Sequence, residues 1–142
     1  MNRIYFIRER NNLTQEQFAK IFNIDRSLVS KWENEDCLPS IEKLNQISNY
    51  FQVSFDYIFY ITDDMNYDMF KANIDANIVG QRIFKVRKIN RLSLRHLATE
   101  LNTTPSTISA YENGKTILLV AFALQMCKKY NLSMDWLYGK ID

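Results

Sequence analysis

Apolar residues recur along this chain at the three- and four-residue spacing that places them on one face of an α-helix. Phe18, Ala19 and Phe22 form one such group, and a serine or threonine that can cap a helix stands before most of the groups. Only three glycines and two prolines occur in 142 residues, which favours helices joined by short loops over sheets. The pattern predicts an all-α fold with five short helices in each half of the chain. The caps are predicted at Thr14, Ser40, Ser54, Ser93, Thr104 and Ser133.

The chain contains an internal repeat with a period of 79 residues. A shift of this size aligns two segments without a gap. The identical pairs include Arg3/Arg82, Arg8/Arg87, Ala19/Ala98, Ser27/Ser106, Glu33/Glu112 and Asp56/Asp135. Each copy has about 60 residues, enough for a small domain that folds alone. We therefore predict one domain over residues 1–61, a linker over residues 62–79 and a second domain over residues 80–142.

The predicted linker carries more apolar side chains than a flexible tether needs. Met65, Tyr67 and Phe70 lie within it, and Thr62 or Asp63 is placed to cap a short helix there. Two explanations stay open for these apolar side chains. Either the segment docks onto its own domains, or it forms the interface of a homodimer.

The net charge of +2 is distributed unevenly along the chain. Residues 1–61 hold 7 basic and 8 acidic residues, residues 62–79 hold 1 and 4, and residues 80–142 hold 10 and 4. The second copy is therefore basic, which suits a polyanionic partner. No run of 18 apolar residues is present and the N-terminus lacks the apolar core of a signal peptide. We expect no membrane contact and a cytoplasmic location.

Metal, cofactor and catalytic chemistry find little support in the sequence. Cys37 and Cys127 are far apart, and His96 is the single histidine, so neither a zinc site nor a disulfide framework is indicated. No nucleophile and base, paired carboxylates or phosphate-binding glycine loop can be recognised. We expect a protein that is not an enzyme and that uses no cofactor.

Two stretches carry a motif that resembles a known family. They read Thr14-Gln15-Glu16-Gln17-Phe18-Ala19, then Ser27-Leu28-Val29-Ser30-Lys31-Trp32-Glu33-Asn34, and the second copy repeats the motif from Leu92 to Ala98 and from Ser106 to Lys115. This motif resembles the helix-turn-helix of Cro and phage-repressor-type regulators. The resemblance implies two tandem lambda-repressor-like domains that bind double-stranded DNA. It further implies a transcriptional regulator, and specifically a repressor.

In such a motif the third helix of each copy enters the major groove of DNA. Base contacts are then expected near the start of this helix and one turn further on. In the first copy these positions hold Arg26, Ser27, Leu28 and Lys31. In the second copy they hold Pro105, Ser106, Thr107 and Ala110. Arg26 could donate two hydrogen bonds to a guanine, worth about 1–3 kcal/mol of discrimination. The second set has few donors and suits the methyl group of thymine.

The resemblance also implies contacts to phosphates and two structural ion pairs. Phosphate contacts are expected at the start of the second helix and in the loop that follows the third helix. The residues at or near these places are Gln15, Arg91, Arg95, Lys115 and Thr116. The family joins the first helix to the end of the third by a partly buried ion pair. Here the pairs would be Arg8 with Glu33 and Arg87 with Glu112.

Each copy departs from the family pattern in a different place. Glu35 and Asp36 occupy the loop after the third helix of the first copy, where two acids would repel phosphate. In the second copy, Leu94 stands at the position that Gln15 occupies in the first copy. An alternative function is therefore a protein-interaction module that binds a regulatory partner and binds DNA weakly or not at all. Under the DNA-binding hypothesis, two recognition helices about 34 Å apart would imitate a two-fold dimer. The sequence does not identify an inducer.

Overall fold

The computed structural model describes all 142 residues and contains ten helices and no strand, which confirms the all-α prediction. The chain divides into two compact units, Met1–Asp68 (unit 1) and Met69–Asp142 (unit 2). Unit 1 contains α1 (Ile4–Arg10), α2 (Gln15–Phe22), α3 (Arg26–Glu33), α4 (Ile41–Phe51) and α5 (Phe55–Ile58). Unit 2 contains α6 (Ala76–Ile89), α7 (Leu94–Glu100), α8 (Pro105–Glu112), α9 (Val120–Tyr130) and α10 (Met134–Leu137). The predicted domain limits, after residues 61 and 79, stay predictions.

Side-chain caps begin most of the helices, at the positions predicted from the sequence. The Thr14 hydroxyl accepts a hydrogen bond from the Gln17 amide (3.1 Å), and the Gln17 side chain accepts one from the Thr14 amide (2.8 Å). This reciprocal pair satisfies two amides that have no partner within α2. The Ser40 hydroxyl caps α4 by accepting from the Lys43 amide at 3.2 Å. The same role is filled by Ser54, Ser93, Thr104 and Ser133.

The two cores are built from aligned positions of the repeat. Each helix of unit 1 contributes at least one completely buried apolar side chain, and five of these side chains are Ile4, Phe18, Val29, Leu44 and Ile58. Their counterparts 79 residues later are completely buried as well: Ile83, Leu97, Ile108, Ala123 and Leu137. The burial of this apolar surface is the main favourable contribution to the folding of each unit.

The packing between the second and fourth helices differs between the units. In unit 1, aromatic rings fill the α2–α4 contact. The Phe18 and Phe51 rings stack with centroids 5.7 Å apart, and Phe22 meets Tyr50 edge-on at 5.6 Å. Such ring pairs add about 0.5–1.5 kcal/mol to what their burial contributes.

In unit 2, a polar cluster around Glu100 joins α7 to α9. The Glu100 carboxylate accepts from the Lys129 ammonium at 2.8 Å and from the Tyr130 hydroxyl, and the His96 ring lies 3.1 Å away. The hydrogen bonds from Lys129 and Tyr130 lower the pKa of Glu100 below its ordinary value. Position 100 aligns with Ile21, so one copy uses a charge where the other uses an apolar side chain.

Gly80 is the site of a close helix crossing in unit 2. A β-carbon at this position would lie 2.4 Å from the carbonyl oxygen of Glu112 and 2.5 Å from that of Tyr111. The absence of a side chain therefore lets α6 pass directly over the end of α8. This approach positions the last turn of α8, which carries one member of the Arg87–Glu112 pair described below.

The linker contains no helix between residues 59 and 75, so the expected helix capped by Thr62 or Asp63 is wrong. Short polar side chains satisfy the backbone locally instead. Thr62 accepts from the Asp64 amide (3.1 Å), Asp64 from the Asn66 amide (2.9 Å) and Asn66 from the Asp68 amide (3.0 Å). These bonds compete with helical hydrogen bonds, which accounts for the extended path.

Each end of this segment attaches to its own unit. In unit 1 the Tyr67 hydroxyl donates to the Asn49 side chain at 2.9 Å, and Asp63 pairs with Arg3. These contacts support the docking explanation for the apolar linker residues. A dimer interface stays a prediction, and Met69, which is 93% exposed, is the most accessible of these side chains.

In unit 2, the linker is tied to the C-terminal turn around Lys140. The Lys71 amide donates to the Lys140 carbonyl at 2.8 Å, and the Lys140 ammonium lies 3.4 Å from the Ala72 carbonyl. The Lys140 side chain is completely buried. This burial lowers the pKa of Lys140 to about 8.

Candidate nucleic-acid interface

Helix α3 of unit 1 buries one face and exposes the other. Val29 and Trp32 are buried against the core. The residues predicted to contact bases lie on the other side or at its border: Arg26, Ser27 and Lys31 are exposed, and Leu28 is half-buried. The core contacts therefore fix the helix while its polar side chains stay accessible to a partner.

An ion pair fixes α1 to the end of α3. The Arg8 Nε donates to Glu33 Oε2 at 2.6 Å, and Arg8 Nη2 donates to Glu33 Oε1 at 3.0 Å. Arg8 also donates to the Leu13 carbonyl at 2.8 Å, which ties the same guanidinium to the turn before α2. Both charged side chains are at most 7% exposed. The hydrogen bonds that Arg8 donates to Glu33 raise the pKa of Arg8.

Gln15 connects this ion pair to the residue predicted to contact guanine. Its Nε2 donates to Glu33 Oε1 at 3.1 Å, and its Oε1 accepts from Arg26 Nη1 at 3.3 Å. The amide is oriented by the buried carboxylate and so presents an oxygen to Arg26. The sequence predicts Gln15 only as a phosphate contact and gives no indication of this second contact. The Arg26 side chain is exposed and keeps donors free for a base.

Unit 2 repeats the ion pair without this extension. Arg87 Nε donates to Glu112 Oε2 at 2.8 Å, Arg87 Nη2 donates to Glu112 Oε1 at 3.0 Å, and Arg87 Nη1 donates to the Leu92 carbonyl at 3.0 Å. Leu94 and Pro105 occupy the positions of Gln15 and Arg26, so no polar chain continues from Glu112 toward the start of α8.

The accessible face of α8 is nearly free of strong donors. Pro105 and Ser106 are exposed, and Thr107 and Ala110 are half-buried. The Thr104 hydroxyl lies 3.0 Å from that of Ser106 and 2.9 Å from that of Thr107, so these hydroxyls bond to each other at the helix start. The helix borders a shallow depression of about 420 Å³, which is lined by Ser106, Thr107, Ala110, Tyr111, Thr116, Ile117 and Leu119.

Unit 2 also exposes basic residues near α8. Arg91, Arg95, Lys115 and Thr116, all predicted to contact phosphate, are exposed. Arg91 and Arg95 line a second depression of about 700 Å³ together with Arg87 and Lys88. The corresponding loop of unit 1 exposes Glu35 and Asp36 instead. Unit 2 is therefore the more attractive of the two for a polyanion.

Neither a cluster of metal-ligating side chains nor a candidate membrane-spanning helix is found in this structure. No group of three or more His, Cys, Asp or Glu side chains is arranged to hold a metal ion. None of the helices combines the length and the apolar character that a membrane span requires.

Family comparisons match both units. A helix-turn-helix model matches residues 4–58, and a helix-turn-helix domain model matches residues 80–142. The first matched range contains α1 to α5 and the Arg8–Glu33 pair, and the second contains α7 to α10, most of α6 and the Arg87–Glu112 pair.

A curated relative matches part of the chain. The HTH-type transcriptional activator BcrR from Enterococcus faecalis is 42% identical over 50 residues, which is 35% of this chain and 24% of the relative. The chain therefore spans about a quarter of that relative's length. No solved structure matches this chain. Together the family and relative matches support DNA-binding regulation of transcription.

Proposed function

Because the chain contains two helix-turn-helix domains of the Cro and phage-repressor type in tandem, we propose that it binds double-stranded DNA sequence-specifically and regulates transcription. The observation that carries this proposal is the exposed polar face of α3, with Arg26, Ser27 and Lys31 held on a helix that is anchored by buried Val29 and Trp32. A short helix of this kind fits the major groove, where base edges are distinguishable.

Unit 1 supplies base discrimination in this proposal. Arg26 donates two hydrogen bonds to the O6 and N7 atoms of a guanine, and Lys31 contacts a base one turn further on. Ser27 and Leu28 complete the contact surface. Gln15 restricts the Arg26 side chain before DNA is bound, so less conformational entropy is lost when the complex forms.

Unit 2 supplies most of the attraction to the DNA backbone. Lys115 and Thr116 contact phosphate after α8, and Arg91 and Arg95 contact phosphate beside the start of α7. Each neutralised phosphate releases counterions, which makes this contribution salt-dependent and independent of sequence. Residues 80–142 hold ten basic and four acidic residues, which fits this role.

Repression is the proposed direction of regulation. Occupation of an operator is enough to block other proteins from that DNA, whereas activation needs an additional productive contact. BcrR is named as an activator, so a reporter gene placed behind the selected operator decides between the two. The proposal also includes a cytoplasmic location, no enzymatic activity and the option of a homodimer.

The test is a selection of random DNA duplexes on the full chain, followed by titrations at several salt concentrations. Arg26→Ala is expected to relax the preference at one base position by about 1–3 kcal/mol. Lys115→Ala is expected to weaken binding to all sequences and to reduce the slope of log affinity against log salt by about 1. Lys128→Ala, an exposed lysine of α9, is the matched control and should leave the base preference unchanged.

One result contradicts the proposal. If no sequence is enriched and binding at physiological salt is equally weak on all duplexes, the protein-interaction module becomes the better explanation. The acidic loop at Glu35 and Asp36 and the donor-poor face of α8 favour that alternative. The search would then turn to protein partners.

A further inference from the structure

We infer that the operator is asymmetric, with a guanine in the half-site bound by unit 1 and thymines, recognised by their methyl groups, in the half-site bound by unit 2. This inference rests on the proposed function and adds the chemistry of the two half-sites. It follows from a difference between α3 and α8 at positions that are aligned in the repeat.

The first half-site follows from the donor geometry of α3. Arg26 is the exposed residue at the first position of α3, and its Nη1 is held 3.3 Å from Gln15 Oε1. One nitrogen is thereby restrained, and the planar guanidinium still has further N–H donors. Guanine is the base that presents two acceptors side by side in the major groove, at O6 and N7. An oriented guanidinium therefore selects guanine.

The second half-site follows from the lack of such donors on α8. Pro105 and Ala110 have no side-chain donor at all. The Ser106 and Thr107 hydroxyls bond to Thr104 at 3.0 and 2.9 Å, so neither forms the paired donors that guanine requires. A guanine placed against this face would lose hydrogen bonds to water without replacing them, which disfavours it.

The surface beside α8 suits an apolar group of the groove. Thr107, Ala110, Ile117 and Leu119 line the depression of about 420 Å³, and Leu119 is 56% exposed. The thymine C5-methyl is the one apolar group that base pairs present in the major groove. Removing such a methyl from water changes affinity by about fourfold. Consecutive thymines would place several methyls against this surface.

The difference between the faces of α3 and α8 lies at aligned positions of the repeat, so it is encoded in the sequence. Arg26 corresponds to Pro105 and Lys31 to Ala110, so neither multi-donor side chain of α3 has a counterpart on α8. The aligned helices α3 and α8 are both eight residues long. Two equal helices with unlike faces predict two unlike half-sites, in contrast to the palindrome expected for two identical recognition helices.

The experiment uses the full chain and the duplex with the highest affinity from the selection. Single functional groups of this DNA are altered by base analogues. Uracil in place of thymine removes only the C5-methyl, and 7-deazaguanine in place of guanine removes only the N7 acceptor. We expect uracil to weaken binding about fourfold per methyl in one half-site, and 7-deazaguanine to weaken it about tenfold in the other.

Two variants assign the half-sites to the units. Arg26→Ala should abolish the effect of 7-deazaguanine and leave the effect of uracil intact. Thr107→Ser removes one methyl and keeps the hydroxyl that bonds to Thr104, so it should reduce the effect of uracil alone. Thermal unfolding of each variant establishes that it is folded. If Arg26→Ala loses the structure, Arg26→Gln replaces it, because the amide cannot provide the paired charged donors.

The outcomes separate this inference from the proposed function. A selected palindrome with guanine in both halves, or a duplex insensitive to uracil, overturns the asymmetric operator while DNA-binding regulation stands. An absence of any enriched sequence overturns both.

Discussion

Units 1 and 2 share a helix order, a set of buried positions and a bidentate ion pair, yet their outward faces differ. The five aligned core positions are completely buried in both units. By contrast, α3 presents Arg26 and Lys31 where α8 presents Pro105 and Ala110. The interior limits what an aligned position can hold, because a buried charge or a cavity costs several kcal/mol. The surface has no such limit, and there the copies have diverged.

A half-buried contact at the edge of the core departs from this rule and shows how it can be relaxed. The Glu100 side chain, at the end of α7, contacts α9 at the place where unit 1 has an aromatic cluster around Phe51. Lys129, Tyr130 and His96 surround the carboxylate and compensate for its burial. A position at the edge of a core therefore accepts either a set of rings or a set of paired charges, provided that the whole set changes together.

The largest expected effect is the loss of stability when either ion pair is broken, and a second effect on base preference distinguishes the two pairs. Glu33→Ala and Glu112→Ala each leave a buried arginine without its carboxylate, and each should destabilise its unit by about 3 kcal/mol in denaturant unfolding. In unit 1 the substitution also removes the partner that orients Gln15, so it should weaken the base preference of Arg26 as well. Glu9→Ala, at a half-exposed residue that lies 3.4 Å from Arg8, is the matched control. Equal effects of both alanine variants on base preference would contradict this distinction.

The next effect concerns Lys140, whose counterpart in unit 1 is the exposed Ile61. The pKa of Lys140 is about 8 in the folded protein, compared with an ordinary value of 10.5. The unfolded chain therefore binds more protons between these values, and the stability of unit 2 should rise with pH through that window, on the order of 2 kcal/mol. Lys140→Met should remove this rise, and Lys128→Met should retain it. The measurement is the free energy of unfolding from pH 7 to pH 9.5, because the raised pKa values of Tyr130 and Tyr138 oppose the rise at higher pH, where tyrosines of the unfolded chain ionise.

A smaller effect in the acid range tests the cluster of unit 2. The pKa of Glu100 lies below its ordinary value of 4.5 in the folded protein, because Lys129 and Tyr130 donate to it. This contribution is present above pH 4.5 and is lost as the pH falls through the folded pKa. Glu100→Gln should remove about 1 kcal/mol of stability at pH 6 and make unit 2 less sensitive to acid. If the variant and the wild type lose stability in parallel below pH 4.5, the cluster does not contribute as described.

The substitution with the smallest expected effect makes unit 1 more similar to unit 2. Glu35 has a φ of 63°, and Gly114 stands at the aligned position with a φ of 72°. Glu35→Gly should relieve backbone strain of about 1 kcal/mol and remove a carboxylate that repels phosphate. DNA affinity should then rise slightly and equally for all sequences. Asp36→Asn removes a neighbouring charge without changing the backbone preference, so it separates the electrostatic part from the strain.

The sequence was sufficient to predict most of the fold and only part of the site. Helix caps are local, so Thr14 and Ser54 could be recognised from their spacing alone. The contact of Gln15 with Arg26 joins two helices through the ends of long side chains, and no pattern along the chain encodes it. Lys140 was equally hidden, because its burial depends on the path of the linker. That path in turn follows from the local hydrogen bonds that prevented the predicted helix.

The attachment of the linker to both units has a consequence for how the chain responds to its own concentration. Tyr67 bonds within unit 1 and Lys71 within unit 2, so four peptide steps separate the two attachments. Domains joined over such a short distance experience one another at an effective concentration near millimolar. Dilution cannot separate them, whereas it dissociates a dimer of single-domain chains. Occupancy of an operator with two half-sites is therefore expected to follow a simple hyperbola, and a steeper titration curve would indicate that two chains bind together.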